Sequence, residues 1–321
     1  MCYAALVSAD LRRLEREFVA QLNVREFDRV LRARVAQPTA YKLPVAVERA
    51  VLAEIKEPGS AIPAAVAEYR KERTALWEAE IFQQRRRHVD AQRKLATKVT
   101  KMAQKELQVS ADKIEQRLKW LNDFRERALT DEDAVVYPMH YAPLIIRSEE
   151  GRVITPMRYH CRLPGHAPEI DRKLTGNYNA RIDSLEQWWR PVFGRHHGIL
   201  VLDGFRENVK AHDREHRELR PGEAERNLVL QFNPRDASVM RVPCVWSRWQ
   251  RDGEVLRSMA LITDEPPEEV AAAGHNRCPI NLTAEAALAW LEPDGRSSSE
   301  LFEILSQRQR PYYEHRIAEA A

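Results

Sequence analysis

A cysteine at position 2, directly behind Met1, has the most unusual chemistry open to it of any residue in this chain. Removal of Met1 would leave Cys2 with two nucleophiles on adjacent carbons, an α-amine titrating near about 8 and a thiol near about 8.5. The amine can condense with an aldehyde to an imine, and the thiol can then close on that imine to give a five-membered thiazolidine. Alternatively, the thiolate attacks an amide or ester carbonyl while the free amine serves as its own general base. Either reaction also needs groups that move protons or hold charge. Glu and His are side-chain types that exchange protons near neutral pH once their surroundings tune them. Asn offers both donor and acceptor faces for an amine or a sugar, and Arg offers a planar fork for a phosphate.

A second feature is a basic run. Arg85, Arg86, Arg87, Arg93, Lys94, Lys98, Lys101 and Lys105 are opposed between Gln83 and Lys105 only by Asp90. Such a segment could track phosphates by counterion release, with Arg85, Arg86 and Arg87 as its densest part; a solvated helix face has the same composition.

These groups need elements to hold them. Apolar Leu11, Leu14, Phe18 and Leu22 recur at three- and four-residue steps, which predicts an amphipathic helix from Ser8 to about Arg34. Prolines at 38, 44, 58 and 63 predict an irregular connection over 35–63. From Ala64 to Tyr137 there is neither proline nor glycine, so a long helical arm is expected, folded as a hairpin that breaks at Ser110 or Asp112. Trp77, Phe82 and Trp120 read as residues of its seam. Beyond Ala134, the β-favouring runs 144–147, 152–159, 198–202, 228–232, 242–246 and 256–262 alternate as half-buried antiparallel strands do. Helices are expected from Thr283 to about Leu291 and between Ser298 and Gln309. The fold class is therefore α+β, with Cys2 brought back to a β-rich C-terminal part.

Composition narrows the class further. The chain has 321 residues, 44% of them hydrophobic, and a formal charge of +3. It can bury a real core, and any nucleic-acid signal must come from local charge rather than from the total. The four cysteines, Cys2, Cys161, Cys244 and Cys278, form no Cys-x-x-Cys pair and have no histidine at zinc spacing. That pattern argues against a disulfide framework or structural metal and for a reducing, cytoplasmic setting. No cofactor is expected. No secretory leader pattern stands at the N-terminus, and no stretch approaches the ~20 apolar residues of a membrane span.

In order along the chain, Cys2, Asn179-Ala180-Arg181, Asp203-Gly204-Phe205-Arg206-Glu207 and His275-Asn276-Arg277-Cys278-Pro279 resemble the landmarks of the SOS response-associated peptidase (SRAP) family, also called abasic-site processing proteins. Ala142-Pro143 and Leu261-Ile262-Thr263 resemble its smaller landmarks. The resemblance covers residues 1–30 and about 135–292. It implies a mixed, mainly antiparallel sheet forming a pseudo-barrel with flanking helices over 1–59 and 131–321. Residues 60–130 then read as an inserted, coiled-coil-like arm.

The resemblance also implies an activity. Mature Cys2 would react with the open-chain aldehyde of an abasic site in single-stranded DNA and form a thiazolidine crosslink, after autoproteolysis or an aminopeptidase removes Met1. Asn179, Glu207 and His275 would complete the catalytic set, His275 opening the sugar ring and Glu207 moving protons around the Cys2 amine. Arg181 and Arg277 would contact DNA, and the protein would join the nucleoid when on DNA. The arm is expected to carry self-association, a protein partner or, through Arg85, Arg86 and Arg87, extra phosphate contacts. Three positions depart from the family pattern: Tyr3-Ala4 replaces Gly-Arg, Asn208 replaces an aromatic residue and Cys278 replaces Met. Two other classes stay open, an N-terminal-nucleophile amidohydrolase and an inactive coiled-coil adaptor.

Overall fold

A computed structural model describes residues 4–55, 61–125 and 127–318, the side chains of residues 61 and 62 excepted. The chain divides into two compact units, residues 1–55 with 131–321 and residues 56–130.

The first unit opens with β1 (Ala4–Val7), α1 (Leu11–Phe18), β2 (Ala20–Leu22), α2 (Val24–Ala36) and α3 (Val45–Glu54). The single helix expected over 8–34 is thus interrupted. Val19 ends α1 in the left-handed conformation at φ 49, and Ala20–Leu22 then pair in parallel with residues 152–154. Tertiary strand pairing overrides a local pattern that would allow one helix. Asn23 restarts the helix as N-cap of α2, its side chain accepting from the Glu26 N–H. Within the expected irregular stretch, α3 forms because Pro44 and Pro58 bracket it rather than interrupt it. A proline at a helix N-terminus gives up only an N–H that would be unpaired anyway.

The second unit is a hairpin of α4 (Ala61–Thr97) and α5 (Lys101–Asp123). Its break falls at residues 98–100, not at Ser110 or Asp112. Thr100 caps α5 by accepting from the Ala103 N–H at 3.2 Å. Ser110 instead lies buried in the seam, donating to the Leu107 carbonyl at 2.9 Å and facing His88 Nδ1 at 3.1 Å. Trp77 packs on Trp120 and Phe124 at centroid distances of 5.2 and 5.0 Å. Phe82, expected in that seam, is 64% exposed. Five residues of helix turn about 140°, so a side chain five positions past Trp77 points away from α5.

The chain then returns to the first unit. In order come β3 (Val135–Val136), β4 (Tyr141–Ser148), β5 (Gly151–Tyr159), α6 (Ile170–Lys173), β6 (Asn179–Arg181), β7 (His197–Lys210), α7 (Ala211–Arg214), β8 (Asn227–Pro234), β9 (Met240–Arg251), β10 (Glu254–Asp264), α8 (Glu268–Ala272), β11 (Cys278–Pro279), α9 (Ala284–Trp290), α10 (Ser298–Ser306) and β12 (Tyr313–Ile317). Five of these strands close a ring: β4 on β5, β5 on β10, β10 on β9, β9 on β7 and β7 back on β4. All of these pairs are antiparallel except β5 with β10. The architecture is α+β, a barrel-like mixed sheet with extra strands and flanking helices.

Ile145, Ile154, Met157, Ile199, Leu200 and Val245 belong to its fully buried core. The alternation expected of half-buried strands is weak here. His197–Leu202 are buried on both faces because α9 covers the outside of β7 and β9. Past Leu202, β7 leaves the ring and pairs with β1 and β8, while β12 adds to the far edge of β8. Gly204 permits this crossing. A Cβ there would meet the Phe232 carbonyl oxygen and Asn233 Nδ2 at 2.5 Å.

Candidate functional site

The extension of β7 beyond the ring carries Glu207, whose side chain is fully buried. Directly before it, Arg206 is the register partner of Ala4 in β1. Since β1 and β7 run antiparallel, the N-terminal end of β1 faces the Glu207 side of that pairing. Cys2 itself lies outside the described residues, as does Tyr3.

His275 reaches the same place from the loop after α8. Gly274 makes the approach with φ +92 and with so little room that a Cβ would meet Val209 Cγ1 at 2.8 Å. His275 Nε2 then stands 3.1 Å from Glu207 Oε2, and Nδ1 stands 2.9 Å from the Arg277 carbonyl oxygen. Burial, with the nearby Arg277 charge adding, pushes the imidazole down to about 4. An oxygen acceptor faces each ring nitrogen. Nδ1 also faces the Arg277 N–H at 3.3 Å, so the neutral ring can accept there and present Nε2–H to the Glu207 carboxylate, or carry its proton on Nδ1 and leave Nε2 to accept. A pair that passes one proton across 3.1 Å can act as acid or base in a site closed to bulk water.

The end of β10 collects the other motifs. On one edge β6 runs parallel to it, pairing Asn179 with Leu261, Ala180 with Ile262 and Arg181 with Thr263. On the other edge β11 pairs Cys278 with Asp264 and Pro279 with Thr263. Asn179 is 8% exposed, and neither its Oδ1 nor its Nδ2 has a hydrogen-bond partner among the described residues. A buried amide of this kind is costly unless something occupies its donor and acceptor. Arg181 is exposed and grips Asp183 through Nε at 2.9 and 3.1 Å. This contact raises the guanidinium and lowers the carboxyl. Arg277 is half-buried, its proton affinity lowered by that burial and by the Arg181 charge. The two arginines therefore form one positive patch, partly offset by Asp183, Asp264 and Glu265.

Arg85, Arg86 and Arg87 belong to the helical hairpin. Arg85 and Arg86 are exposed, Arg86 lying 5.9 Å from the Phe82 ring. Arg87 turns to Glu106 on α5 at 2.7 Å. The remaining cysteines are buried and unpaired with one another. Burial pushes the Cys161 thiol up to about 12 and raises those of Cys244 and Cys278 as well. Inert thiols of this kind are structural. Among the described residues no group of three His, Cys, Asp or Glu side chains could hold a metal, and no helix is long and apolar enough to cross a membrane.

Two arrangements had no local signal in the sequence. Arg206, 2% exposed, donates through Nε and Nη2 to Gln231 Oε1 at 3.0 and 2.7 Å and also pairs with Glu132. This network supports the strand position next to Glu207. Asp171 similarly joins two buried arginines, Arg158 at 2.8 Å and Arg162 at 2.6 Å, below the end of β5. Each partner comes from a different element, so only the folded chain shows the set.

The model of the SOS response associated peptidase (SRAP) family matches residues 99–319. That span holds Asn179, Arg181, Glu207, His275 and Arg277 and leaves Cys2 outside it. Among solved structures, a protein from Bordetella bronchiseptica is similar at 19% identity and a TM-score of 0.46, covering 58% of this chain and 88% of its own. A protein from Bacteroides thetaiotaomicron is similar at 16% identity and a TM-score of 0.45, covering 57% and 77%. A phage-related protein from Bordetella bronchiseptica is similar at 16% identity and a TM-score of 0.43, covering 63% and 87%. No curated protein matches.

Proposed function

Since the chain belongs to the SOS response associated peptidase family, a DNA-damage-associated, peptidase-like protein, we propose that it captures abasic sites in single-stranded DNA through Cys2. The observation that carries this reading is the buried Glu207–His275 contact beside the strand position paired with Ala4. Ala4 stands two peptide units from Cys2, a reach of about 7 Å.

In the proposed sequence, the pair gives its acidic proton to the ring oxygen of the closed abasic sugar and takes up the proton of the C1 hydroxyl, so that the sugar opens to the aldehyde and the pair is again protonated. The Cys2 amine adds to the aldehyde carbon to give a carbinolamine. The pair then protonates the departing hydroxyl, which leaves as water, and takes back the proton from nitrogen, so that an imine remains. The Cys2 thiol adds to the imine carbon while its proton passes to nitrogen, closing the thiazolidine. We assign the ring-opening proton to His275 and the transfers at the amine to Glu207. Asn179, whose amide has no partner among the described residues, supplies a donor and an acceptor for the sugar or the amine, and Arg181 and Arg277 supply charge for flanking phosphates. A free amine is required, so Met1 must first be removed, by the protein's own cysteine chemistry or by an aminopeptidase.

The test uses a single-stranded oligonucleotide carrying one uracil-excised site, read by denaturing gel and intact mass. The expected result is a heat-stable adduct of protein plus oligonucleotide, absent from Cys2→Ala except as a reducible imine. No adduct from a chain whose mass shows Met1 removed would overturn the proposal.

A further inference from the structure

The outer face of α4 presents Phe82, Arg86, Val89 and Arg93 at steps of four, three and four residues, and all four are exposed. The helix's apolar face toward α5 is a different one, made by Trp77, Ile81 and Ala91. Past Arg93 the basic character continues through Lys94 and Lys98 to Lys101 and Lys105 on α5. From Phe82 to Lys105 there are eight basic residues and one acid, Asp90, which lies 3.7 Å from Arg93.

Elsewhere on the hairpin, charges are matched, as in Arg87 with Glu106 and Arg117 with Glu80. Near the tip they are not. Lys94 with Lys98 and Lys101 with Lys105 are like charges four residues apart, a spacing at which they repel. Among the described residues no acid lies within ion-pair distance of these four lysines.

We propose that this face is a track for single-stranded nucleic acid, with phosphates on Arg86, Arg93, Lys94 and Lys98 and an unstacked base on Phe82. The track from Phe82 to Lys98 is about 24 Å long at 1.5 Å per residue. Aromatic and basic residues interleaved on one face match the way single strands are held, charge following the backbone and rings meeting bases. A membrane-surface helix instead separates its apolar and basic faces. A second copy would set like charges against like, so self-association through this face is disfavoured. The inference does not depend on Cys2 chemistry.

It is tested with the full chain carrying Cys2→Ala and a fluorescent single-stranded 20-mer without an abasic site, by anisotropy across a salt series. Charge reversal Arg86→Glu with Arg93→Glu should weaken binding at least tenfold and flatten the log–log salt slope by about 1.4, two lost contacts at about 0.7 each. Phe82→Ala should weaken binding about tenfold at unchanged slope, and Phe82→Trp should retain it. These positions are exposed, so helicity by circular dichroism should not change. Arg86→Gln with Arg93→Gln provides the same test should charge reversal unfold the arm. Unchanged affinity and slope in both arginine double variants would overturn the proposal. So would binding to vesicles of anionic phospholipid without binding to the oligonucleotide.

Discussion

Ala4 of β1 is the register partner of Arg206 of β7, and Glu207 is the next residue along that strand. The first described residue of the chain is thereby tied by backbone hydrogen bonds to the strand that supplies half of the buried Glu207–His275 pair. A covalent function for the segment ahead of Ala4 would need this kind of anchoring, since entropy otherwise disperses a chain end.

Substitutions in the pair should separate its two roles. His275→Ala should slow crosslinking to a closed-ring abasic site by about 10²–10⁴-fold while leaving a substrate locked as free aldehyde much less affected. Glu207→Gln should slow both. Time courses on the two substrates make the comparison, and identical profiles for both variants would refute the division of labour.

Gly274→Ala should cost about 1–3 kcal/mol, because the new Cβ meets Val209 Cγ1 at 2.8 Å and the φ of +92 is strained for any L side chain. Denaturant midpoints measure the cost. Crosslinking should fall with it, since Gly274 sets the course of the backbone into His275.

Acid should destabilise the barrel through His197. Its Nε2 accepts from the Gly194 N–H at 2.9 Å, Nδ1 lies 3.0 Å from the Trp290 carbonyl oxygen, and burial pushes the ring down to about 3. Above about pH 6.5 the ring is neutral in both folded and unfolded chains. As pH falls below that, the unfolded chain takes up a proton that the folded chain refuses until about 3. Stability is therefore lost between those values, on the order of 5 kcal/mol. His197→Phe should flatten this limb of a stability-versus-pH curve, and an unchanged limb would point to other groups.

Gln231→Leu should destabilise more than Arg206→Met. The first leaves a buried guanidinium without the Oε1 that accepts two of its N–H groups, whereas the second leaves only a neutral amide oxygen without donors and a part-exposed Glu132 without its cation, and an under-satisfied buried charge costs more than an unsatisfied neutral group. Thermal melts of the two variants give the order directly.

How far the sequence foretold these features depends on the range of the interaction. The strand runs at 144–147, 152–159 and 242–246 all lie within observed strands, since β-branched and aromatic residues mark them locally. The cap of α9 was legible for the same reason, Thr283 accepting from the Ala286 N–H. The position of the hairpin break is not legible locally, because Thr100 and Ser110 offer equivalent capping chemistry and only the packing of α4 on α5 decides which one turns inward. Phe82 resembles a seam residue by hydrophobicity alone, and only its angular distance from Trp77 along the helix turns it outward. The Glu207–His275 contact has no local signature, because nothing near Glu207 in sequence indicates that His275 will stand 3.1 Å away.

Pairing β1 with β7 also sets a timetable. About 200 residues separate the two strands, and at about 5–20 residues per second a ribosome takes some 10–40 s to make them. Until Arg206 has emerged, β1 has no partner on that edge. Processing enzymes that act on nascent chains therefore work before β7, with Glu207, has been made. Maturation by an outside peptidase and maturation by the folded site itself would therefore occur at different times, the first during translation and the second after release.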